Sequence, residues 1–437
     1  MSDDVPSGWS SIRLKDICQE VENRIGTSAK LALLSVTKRG VIPQSDTYGK
    51  EIASADVSNY KIVLPGQFAM APMALYYGAI GRFNGTSRGM ISPAYNVFVE
   101  CNGIDARYLE ALIRLPRMVG RYEALSQGGN IEGKRKNTSF SDFGSIKVNI
   151  PSYPEQLAIA EVLHLAEDDI SRTRDLLKTL ASTKFAVMRD LLTRGMRRGA
   201  APLKPLPERW VLGRIAGDVT HIPSDWKLVR LTSVAKLESG HTPDRKRPDY
   251  WGDDIPWLSL GDTNGLGELT VSTTTECATQ LGIQNSSARL LPVDTVVFSR
   301  TATVGKATRL AVPMATSQDF ANWVCGPKIC PRYLVQVFRH MRREWDRLQE
   351  GSTHQTIYMP VFKKLQILLP PKDEQTKIAD TGDAFDLRIE AEQNKLIELA
   401  NVRAALAQEL LSGRLRLPAS MVARFANVAA QPEVAVA

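Results

Sequence analysis

Two long amphipathic segments dominate the pattern of apolar and polar positions along the chain. In the first, apolar residues recur at alternating spacings of three and four from Ile159 to Leu191, and a second seam runs from Ile378 to Leu410. A sustained pattern of this kind is typical of helices that pack on each other as a coiled coil. Each segment spans about 40 residues, which predicts helices roughly 60 Å long at about 1.5 Å per residue.

The two seams share one register, because each seam position of the first helix has its counterpart 219 residues later. Polar residues interrupt both seams at the same two rungs, which hold Thr173 and Lys184 in the first helix and Glu392 and Arg403 in the second. Long basic side chains can extend out of a seam into solvent. Polar seam residues can also fix the register or orientation of paired helices. The sequence leaves both interpretations open.

The segments that precede the helices repeat as well. Pro-Ser-x-Trp begins at Pro6 and again at Pro223, and a Pro followed by Glu-Gln opens each helix, at residues 155–156 and 374–375. Between these borders, short β-branched and aromatic runs alternate with Gly, Pro, Asn and Ser, which is typical of short strands joined by turns. An internal repeat of this length indicates two similar structural units.

These patterns predict an α+β fold with two similar mixed α/β domains and two long antiparallel coiled-coil helices, related by a pseudo-two-fold internal repeat. Antiparallel packing is favoured because a parallel arrangement would stretch the 26-residue linker back along some 60 Å, which is close to its full reach at about 3.4 Å per residue. The expected segments are a first domain at 1–150, the first helix at 151–196, a linker at 197–222, a second domain at 223–370, the second helix at 371–416, and a disordered tail at 417–437.

Charge and composition narrow the function classes only slightly. The chain of 437 residues has 55 Lys and Arg against 47 Asp and Glu, a net charge of +8 that permits a nucleic-acid partner without requiring one. Five cysteines without a CxxC pair predict neither a disulfide framework nor a zinc site. The sequence has neither a run of about 18 apolar residues nor a signal-peptide pattern, so we expect a cytoplasmic protein with no membrane partner.

Signatures of catalysis are missing from the sequence. It contains no G-x-x-x-x-G-K-[ST] loop, no Asn/Asp-Pro-Pro-aromatic motif of amino-methyltransferases and no G-x-S-x-G elbow. Two diverged domains held apart by helices suit a reader or an adaptor, so we expect a non-catalytic chain with no catalytic or metal-binding residues.

Four motifs are the most specific in the chain: the paired P-S-x-W-x-x-x-R-L starts, IPWLSLGD at 255–262, GSTHQTI at 351–357, and E-Q-x-x-I at the start of both helices. In these motifs the sequence resembles the DNA specificity subunits of Type I restriction-modification systems. The first repeat departs from this pattern, because it lacks the Ile-Pro-Trp segment and carries a longer loop at 126–139. Such divergence is what two readers of different DNA words would show.

The resemblance implies both a mechanism and partners. Two target-recognition domains would each read one half of a bipartite site in double-stranded DNA, while the helices fix the unread spacer. Two methyltransferase subunits would use S-adenosylmethionine, and restriction and motor subunits would use ATP and magnesium. None of these cofactors is expected to bind this chain. Two alternatives remain: a single-chain or orphan restriction or modification enzyme with unrecognised chemistry, and a coiled-coil scaffold that binds no DNA.

Candidate DNA contacts are basic and polar residues in loops, because lysine and arginine bind phosphates while polar side chains read base edges. For each one, an ordinary solvated surface charge is the alternative. The candidates in the first domain are Lys38, Arg39, Arg82, Arg88, Lys134, Arg135 and Lys136. Those in the second domain are Arg245, Lys246, Arg247, Arg300, Lys306, Ser352, Thr353, His354 and Gln355. Arg339, Arg342, Arg343 and Arg347 are expected on one helix face, at the surface or against a partner.

Overall fold

The computed structural model describes residues 5–26, 31–49, 56–126, 136–196, 202–206, 215, 219–350 and 355–428. The chain forms two compact units. The first comprises Met1–Ser171 with Ile397–Ala437, and the second comprises Arg172–Leu396. Since the two long helices run through both ranges, each helix contributes one part to each unit.

The domain of the first unit is built from short strands that form two four-stranded sheets and one two-stranded ladder. The strands are β1 Ser10–Arg13, β2 Cys18–Val21, β3 Ala32–Thr37, β4 Gly40–Pro43, β5 Lys61–Val63, β6 Phe68–Met70, β7 Ile80–Arg82, β8 Gly89–Ile91, β9 Asn96–Glu100 and β10 Lys147–Ile150. The sheets have the orders β2-β9-β6-β7 and β4-β3-β8-β5, and β1 pairs with β10. The helices are α1 Ser45–Tyr48, α2 Ala106–Ile113, α3 Pro116–Leu125 and α4 Phe140–Ser145.

The core of this domain is aromatic and aliphatic. Phe68 and Phe98 stack with ring centroids 5.2 Å apart, and helices α2 and α3 add buried apolar side chains to the same cluster. Asp105 starts α2 by accepting hydrogen bonds from the backbone N–H groups of Arg107 and Tyr108, which satisfies donors that a helix leaves open at its first turn. The apolar face of α2 packs into this cluster, while Arg107 in its first turn is 40% exposed.

The domain of the second unit also consists of short strands. They are β11 Leu203–Pro205, β12 His221–Pro223, β13 Lys227–Arg230, β14 Ala235–Ser239, β15 Trp251–Gly252, β16 Ile255–Leu258, β17 Thr270–Val271, β18 Glu276–Ala278, β19 Val296–Ser299, β20 Ala307–Leu310, β21 Ala315–Thr316, β22 Phe320–Cys325 and β23 Gln366–Leu369. They form a five-stranded sheet, β14-β22-β19-β20-β17, a four-stranded sheet, β15-β18-β16-β21, and the ladders β11-β12 and β13-β23. The helices are α6 Gln280–Gln284, α7 Pro331–His340, α8 Arg342–Leu348 and α9 Met359–Lys364.

The internal repeat has a clear structural counterpart at the border of each domain. The first strand pairs antiparallel with the strand that immediately precedes the long helix, with Ser10 opposite Ile150 in one repeat and Lys227 opposite Leu369 in the other. Each ladder therefore joins the start of a domain to the point where its helix begins.

The long helices are α5 Tyr153–Arg194 and α10 Lys372–Leu410. In the first unit, Leu163 near the start of α5 shares a buried cluster with Leu410 at the end of α10. In the second unit, Leu192 near the end of α5 shares a cluster with Ile378 near the start of α10. The halves that meet therefore run antiparallel in each unit. The predicted fold class, two mixed domains with a long antiparallel helix pair, is confirmed.

Three segments differ in detail from the sequence-based expectations. The predicted linker contains strand β11, which pairs with β12. Within the predicted tail, Ala419–Ala423 form the short helix α11, and residues 429–437 lie outside the described residues. The stretch expected to hold Arg339 and Arg347 on one helix is divided, because α7 ends at His340 and α8 begins at Arg342.

Among the described residues, the structure has no helix that is both long and apolar enough to cross a membrane.

Candidate nucleic-acid interface

Three of the candidate DNA contacts lie close together in the first unit. Lys38 and Arg39 are exposed in the turn between β3 and β4, and the Arg39 guanidinium donates to the carbonyl oxygen of Asp46 at 3.1 Å. Arg82 ends β7, and its Nε donates to the carbonyl oxygen of Gly66 at 3.0 Å. These backbone contacts anchor the stems of the arginines while the turn holds their charge at the surface.

Lys38, Arg39 and Arg82 line one groove with a volume of about 1180 Å³. Its other walls are helix α2 and the parts of α5 and α10 that belong to the first unit. Six basic side chains line the groove against two carboxylates: Lys38, Arg39, Arg82, Arg107, Arg114 and Arg403 against Glu110 and Glu167. The groove is therefore strongly cationic, which suits an anionic ligand.

The remaining candidates of the first domain are placed differently. Arg88 is exposed in the segment just before β8. Lys136 forms an ion pair with Glu123 at 3.2 Å, and its Nζ lies 4.8 Å from the centre of the Tyr76 ring. Lys134 and Arg135 lie outside the described residues.

In the second unit, Arg245 belongs to a cluster of aromatic and charged side chains. Its guanidinium lies 4.0 Å from the centre of the Trp251 ring and 4.9 Å from that of Trp257. Both terminal nitrogens donate to the Glu276 carboxylate. This hydrogen bonding raises the pKa of Arg245 and lowers the pKa of Glu276. These contacts fix the position of the Arg245 guanidinium on its own domain.

The two residues that follow Arg245 remain at the surface. The Lys246 side chain is exposed, and its backbone N–H donates to Asp244 at 2.9 Å. Arg247 forms an ion pair with Asp249 at 2.7 Å and lies 4.9 Å from the centre of the Tyr250 ring. The pair raises the pKa of Arg247 and lowers the pKa of Asp249.

Arg300, Lys306 and Gln355 belong to two loops that lie against each other. The Arg300 guanidinium donates to the carbonyl oxygen of Ile357 at 3.2 Å, and Ala302 N–H donates to that of Gln355 at 3.0 Å. Lys306 donates to the carbonyl oxygen of Thr263 at 2.9 Å. Partial burial lowers the pKa of Arg300. Ser352, Thr353 and His354 lie outside the described residues.

The polar seam residues form ion pairs that follow the repeat. In the second unit, Lys184 of α5 pairs with Asp386 of α10, and both side chains are 16% exposed. In the first unit, Arg403 of α10 pairs with Glu167 of α5 at 3.5 Å. The two ion pairs correspond residue by residue, because Arg403 lies 219 positions after Lys184 and Asp386 lies 219 positions after Glu167. Burial lowers the pKa of Lys184, and Asp386 opposes this effect.

Arg339 does not lie at the surface, as the sequence suggested, but is 13% exposed and pairs with Asp386 at 2.8 Å. Its guanidinium also donates to the carbonyl oxygen of Glu268 at 2.6 Å. The expectation was wrong because the charge of Arg339 is compensated by an aspartate on α10, which the local helical pattern does not reveal.

The repeated border motifs are framework residues. Glu374 accepts hydrogen bonds from the Trp226 indole and from Met196 N–H, both at 2.9 Å. Gly195 has a φ of +76°, and a Cβ there would lie 2.3 Å from the Glu374 carboxylate. Glycine is therefore required where α5 ends against the start of the second domain.

The first unit repeats this arrangement with other partners. Arg416 donates to both oxygens of Glu155, at 2.8 and 2.9 Å, and to the carbonyl oxygen of Ser7 at 2.8 Å. Gly413 has a φ of +74°, and its missing Cβ leaves room for Pro6. Pro-Ser-x-Trp and Glu-Gln thus join each domain to the helix ends that border it.

Sequence reasoning missed Arg107, Arg114 and Arg403 as possible ligand contacts. A signal existed, since Arg107-Tyr108-Leu109 recurs as Arg332-Tyr333-Leu334. This pair is 225 positions apart, whereas the border motifs repeat at offsets of 217 and 219, so those offsets did not reveal it.

Comparisons with known proteins agree in family. The family model described as the Type I restriction modification DNA specificity domain matches residues 223–401. The chain is 28% identical over 194 residues to the Type I restriction enzyme MjaIX specificity subunit of Methanocaldococcus jannaschii, a match that covers 44% of this chain and 45% of that protein. It is 20% identical to the Type I restriction enzyme HindI specificity subunit of Haemophilus influenzae. This match covers 94% of this chain and 100% of that protein.

A solved structure shares the fold over nearly the full length. The crystal structure of the Type I restriction-modification system S subunit from M. genitalium matches with a TM-score of 0.54 and 11% identity. The match covers 94% of this chain and 97% of that one.

Proposed function

We propose that the chain is a specificity subunit of a Type I restriction-modification system, like the proteins that it resembles, and that it recognises a bipartite target in double-stranded DNA. Each domain would read one half of the target, and the helix pair would set the length of the unread spacer. The subunit would direct two methyltransferase subunits and the restriction and motor subunits to that site.

The main support is that the framework repeats while the candidate reading surfaces do not. Gln156 accepts from Asp105 N–H at 3.0 Å, and Gln375 accepts from Cys330 N–H at 2.7 Å. These buried amides join each domain to its own helix in the same way. By contrast, the first domain presents a basic groove, and the second presents an arginine that lies over two tryptophan rings. One frame that carries two different surfaces suits the reading of two different DNA words.

The chemistry of the complex is proposed to lie in the partners. The methyltransferase subunits would bind S-adenosylmethionine, and the motor subunits would bind ATP and magnesium, while this chain binds DNA in the cytoplasm and holds none of these cofactors.

The proposal is tested by exchanging domains. Residues 6–150 are replaced with the corresponding domain of a specificity subunit that has a known target, and genome-wide methylation is mapped by sequencing. We expect one half of the methylated sequence to change and the other half to remain. Exchange of residues 223–370 is the matched control and should change only the second half. A change in both halves after either exchange would contradict two independent readers.

A further inference from the structure

Helices α2 and α7 are equivalent elements of the two repeats. Each begins directly after the residue whose N–H is bound by the glutamine of its own long helix, Asp105 in one case and Cys330 in the other. In a sequence alignment, Arg107-Tyr108-Leu109 matches Arg332-Tyr333-Leu334. The same alignment matches Arg114 with Arg339. Arg107 can therefore be compared with Arg332, and Arg114, which directly follows α2, can be compared with Arg339 near the end of α7.

In the second unit these arginines are neutralised. Arg332 pairs with Asp380 at 2.8 Å and with Asp383 at 2.6 Å. Arg339 pairs with Asp386, which also binds Lys184. Three cations thus face three carboxylates, and Asp383 is further bound by the Gln336 amide at 2.8 Å. This junction is a closed, charge-balanced contact between the domain and its helices.

In the first unit the equivalent junction is held by longer ion pairs. The positions that match Asp380, Asp383 and Asp386 hold Glu161, His164 and Glu167, so one carboxylate is replaced by a histidine. Arg107 lies 3.5 Å from Glu161 and 3.8 Å from Asp105, and Arg114 lies 3.4 Å from Glu110. A groove with six cations and two carboxylates opens here, where the second unit has its compact network.

We propose that this groove binds the phosphate backbone of duplex DNA, with Arg107, Arg114 and Arg403 as phosphate contacts on the helices. The inference rests on the proposed function and deepens it, because it extends the DNA surface beyond the reading loops. DNA is favoured over an acidic protein segment because Lys38, Arg39 and Arg82, the candidate contacts of the reading domain, line the same groove. Phosphate contacts position the protein and carry no sequence information directly.

The decisive variants are Arg107→Gln and Arg403→Gln. Their side chains are 40% and 36% exposed, so loss of either charge leaves the apolar core intact. Each phosphate contact adds about 0.9 to the slope of log affinity against log salt. Each variant should therefore lower that slope by about one and weaken binding roughly fivefold to tenfold near 100 mM salt. Cognate and non-cognate duplexes of equal length should be affected equally, and the methylated sequence should stay unchanged.

Two controls separate this role from general effects of charge and folding. Arg332→Gln alters the equivalent arginine of the second unit, and it should lower the thermal midpoint while the salt slope stays unchanged. Lys377→Gln removes one charge from a 62% exposed lysine of α10, and it should change neither quantity. All measurements use the full chain, alone and with its methyltransferase subunits, by fluorescence anisotropy on labelled duplexes.

Several outcomes would overturn the inference. Unchanged salt slopes in both variants would remove the phosphate role, provided that the unaltered chain binds DNA. A loss confined to the cognate duplex would assign the arginines to base reading. Loss of methyltransferase assembly with intact DNA binding would make the groove a protein-docking site. If the unaltered chain and its complex bound no DNA at all, the proposed function itself would fail, and this inference with it.

Discussion

Asp386 is the residue on which the second domain–helix junction depends. Its carboxylate accepts hydrogen bonds from Gln336 and Arg339, both at 2.8 Å, and also binds Lys184. A buried carboxylate costs free energy unless it is paired and hydrogen-bonded. Here one acid compensates two cations from two helices, so loss of Asp386 should destabilise the junction more than loss of either cation.

We expect Asp386→Ala to destabilise the second unit more than Lys184→Met does. The first change leaves two partly buried cations without their shared acid and should cost about 3 kcal/mol of unfolding free energy. The second leaves Asp386 paired with Arg339 and should cost about 1 kcal/mol. Urea unfolding followed by tryptophan fluorescence measures the difference, because Trp226, Trp257, Trp323 and Trp345 of this unit are buried. Equal losses would show that the pair with Lys184 dominates.

His340 makes the stability of the same region depend on pH. The ring is 8% exposed and stacks on Phe185 with centroids 4.6 Å apart. Burial, and then the nearby charges of Arg189 and Lys184, lower its pKa to about 4. The folded state therefore holds a neutral ring, while the unfolded chain takes up a proton near the ordinary pKa of about 6.5. Stability is full above that value and is lost as the pH falls from about 6.5 towards about 4.

The expected loss between pH 7 and pH 5 is about 2 kcal/mol of unfolding free energy. His340→Phe keeps an aromatic ring beside Phe185 but removes the titrating group. The measurement is the urea midpoint of both proteins across this range, because carboxylates titrate equally in both and cancel in the difference. A constant difference across the range would mean that His340 does not titrate as a buried neutral ring.

At the scale of elements, the helices could be predicted from the sequence and the reading surfaces could not. The seam from Ile159 to Leu191 depends on local spacing, which one sequence displays directly. The acidic partners Glu167 and Asp386 lie off the seam, so their pairing with Arg403 and Lys184 emerged only when the helices were placed side by side. The offset of 219 that relates the two pairs is nevertheless visible in the sequence.

Loop positions were harder because their contacts are not local. The sequence indicates that Arg245 is an exposed basic residue, yet its guanidinium contacts Glu276 and two tryptophan rings. Arg107 and Arg114 look like ordinary helix-surface charges, and only the folded domain places them beside Lys38 and Arg39 in one groove. Charge compensation across the fold separates a framework arginine from one that can contact DNA.

The helix pair should act as a ruler for the DNA spacer. Leu180 lies four residues before Lys184, and Glu390 lies four residues after Asp386, so the two positions face each other in the antiparallel pair. Insertion of one heptad after each residue preserves the seam and adds about 10 Å of helix between the domains. We expect about three extra unread base pairs, at about 3.4 Å each, and unchanged half-site sequences.

Methylation mapping of the insertion variant checks this expectation. The extra base pairs also rotate one half of the target relative to the other about the DNA axis. Affinity falls to the extent that this rotation turns a groove away from the domain that binds it. A control with four inserted residues per helix disrupts the heptad register and should fold poorly. An unchanged spacer in a folded, active heptad variant would show that the helices do not set the spacing.

At the scale of the whole molecule, the repeat separates what holds the chain together from what differs between its halves. The ends of α5 and α10 are tied to the domain starts by Glu374 with Trp226 and by Glu155 with Arg416. These contacts recur with different partners, so the frame tolerates divergence in the chemistry of each anchor. The surfaces free to diverge are those that the frame does not use, and these are where we place DNA recognition.

This division of labour predicts that the purified chain has no turnover of its own. Methyl transfer to a base requires that the base be extruded into a pocket beside the methyl donor, and the sequence lacks the methyltransferase and nucleotide-loop motifs that would build such sites. We expect the chain alone to show no methyl transfer, ATP hydrolysis or DNA cleavage, and methylation of one bipartite sequence to appear when methyltransferase subunits are added. Radiolabelled methyl transfer measures this, with the chain titrated against a fixed amount of partner so that activity saturates at the stoichiometry of the complex. Turnover that persists after every partner subunit has been removed, and that scales with this chain alone, would assign the chemistry here and contradict a purely DNA-reading role.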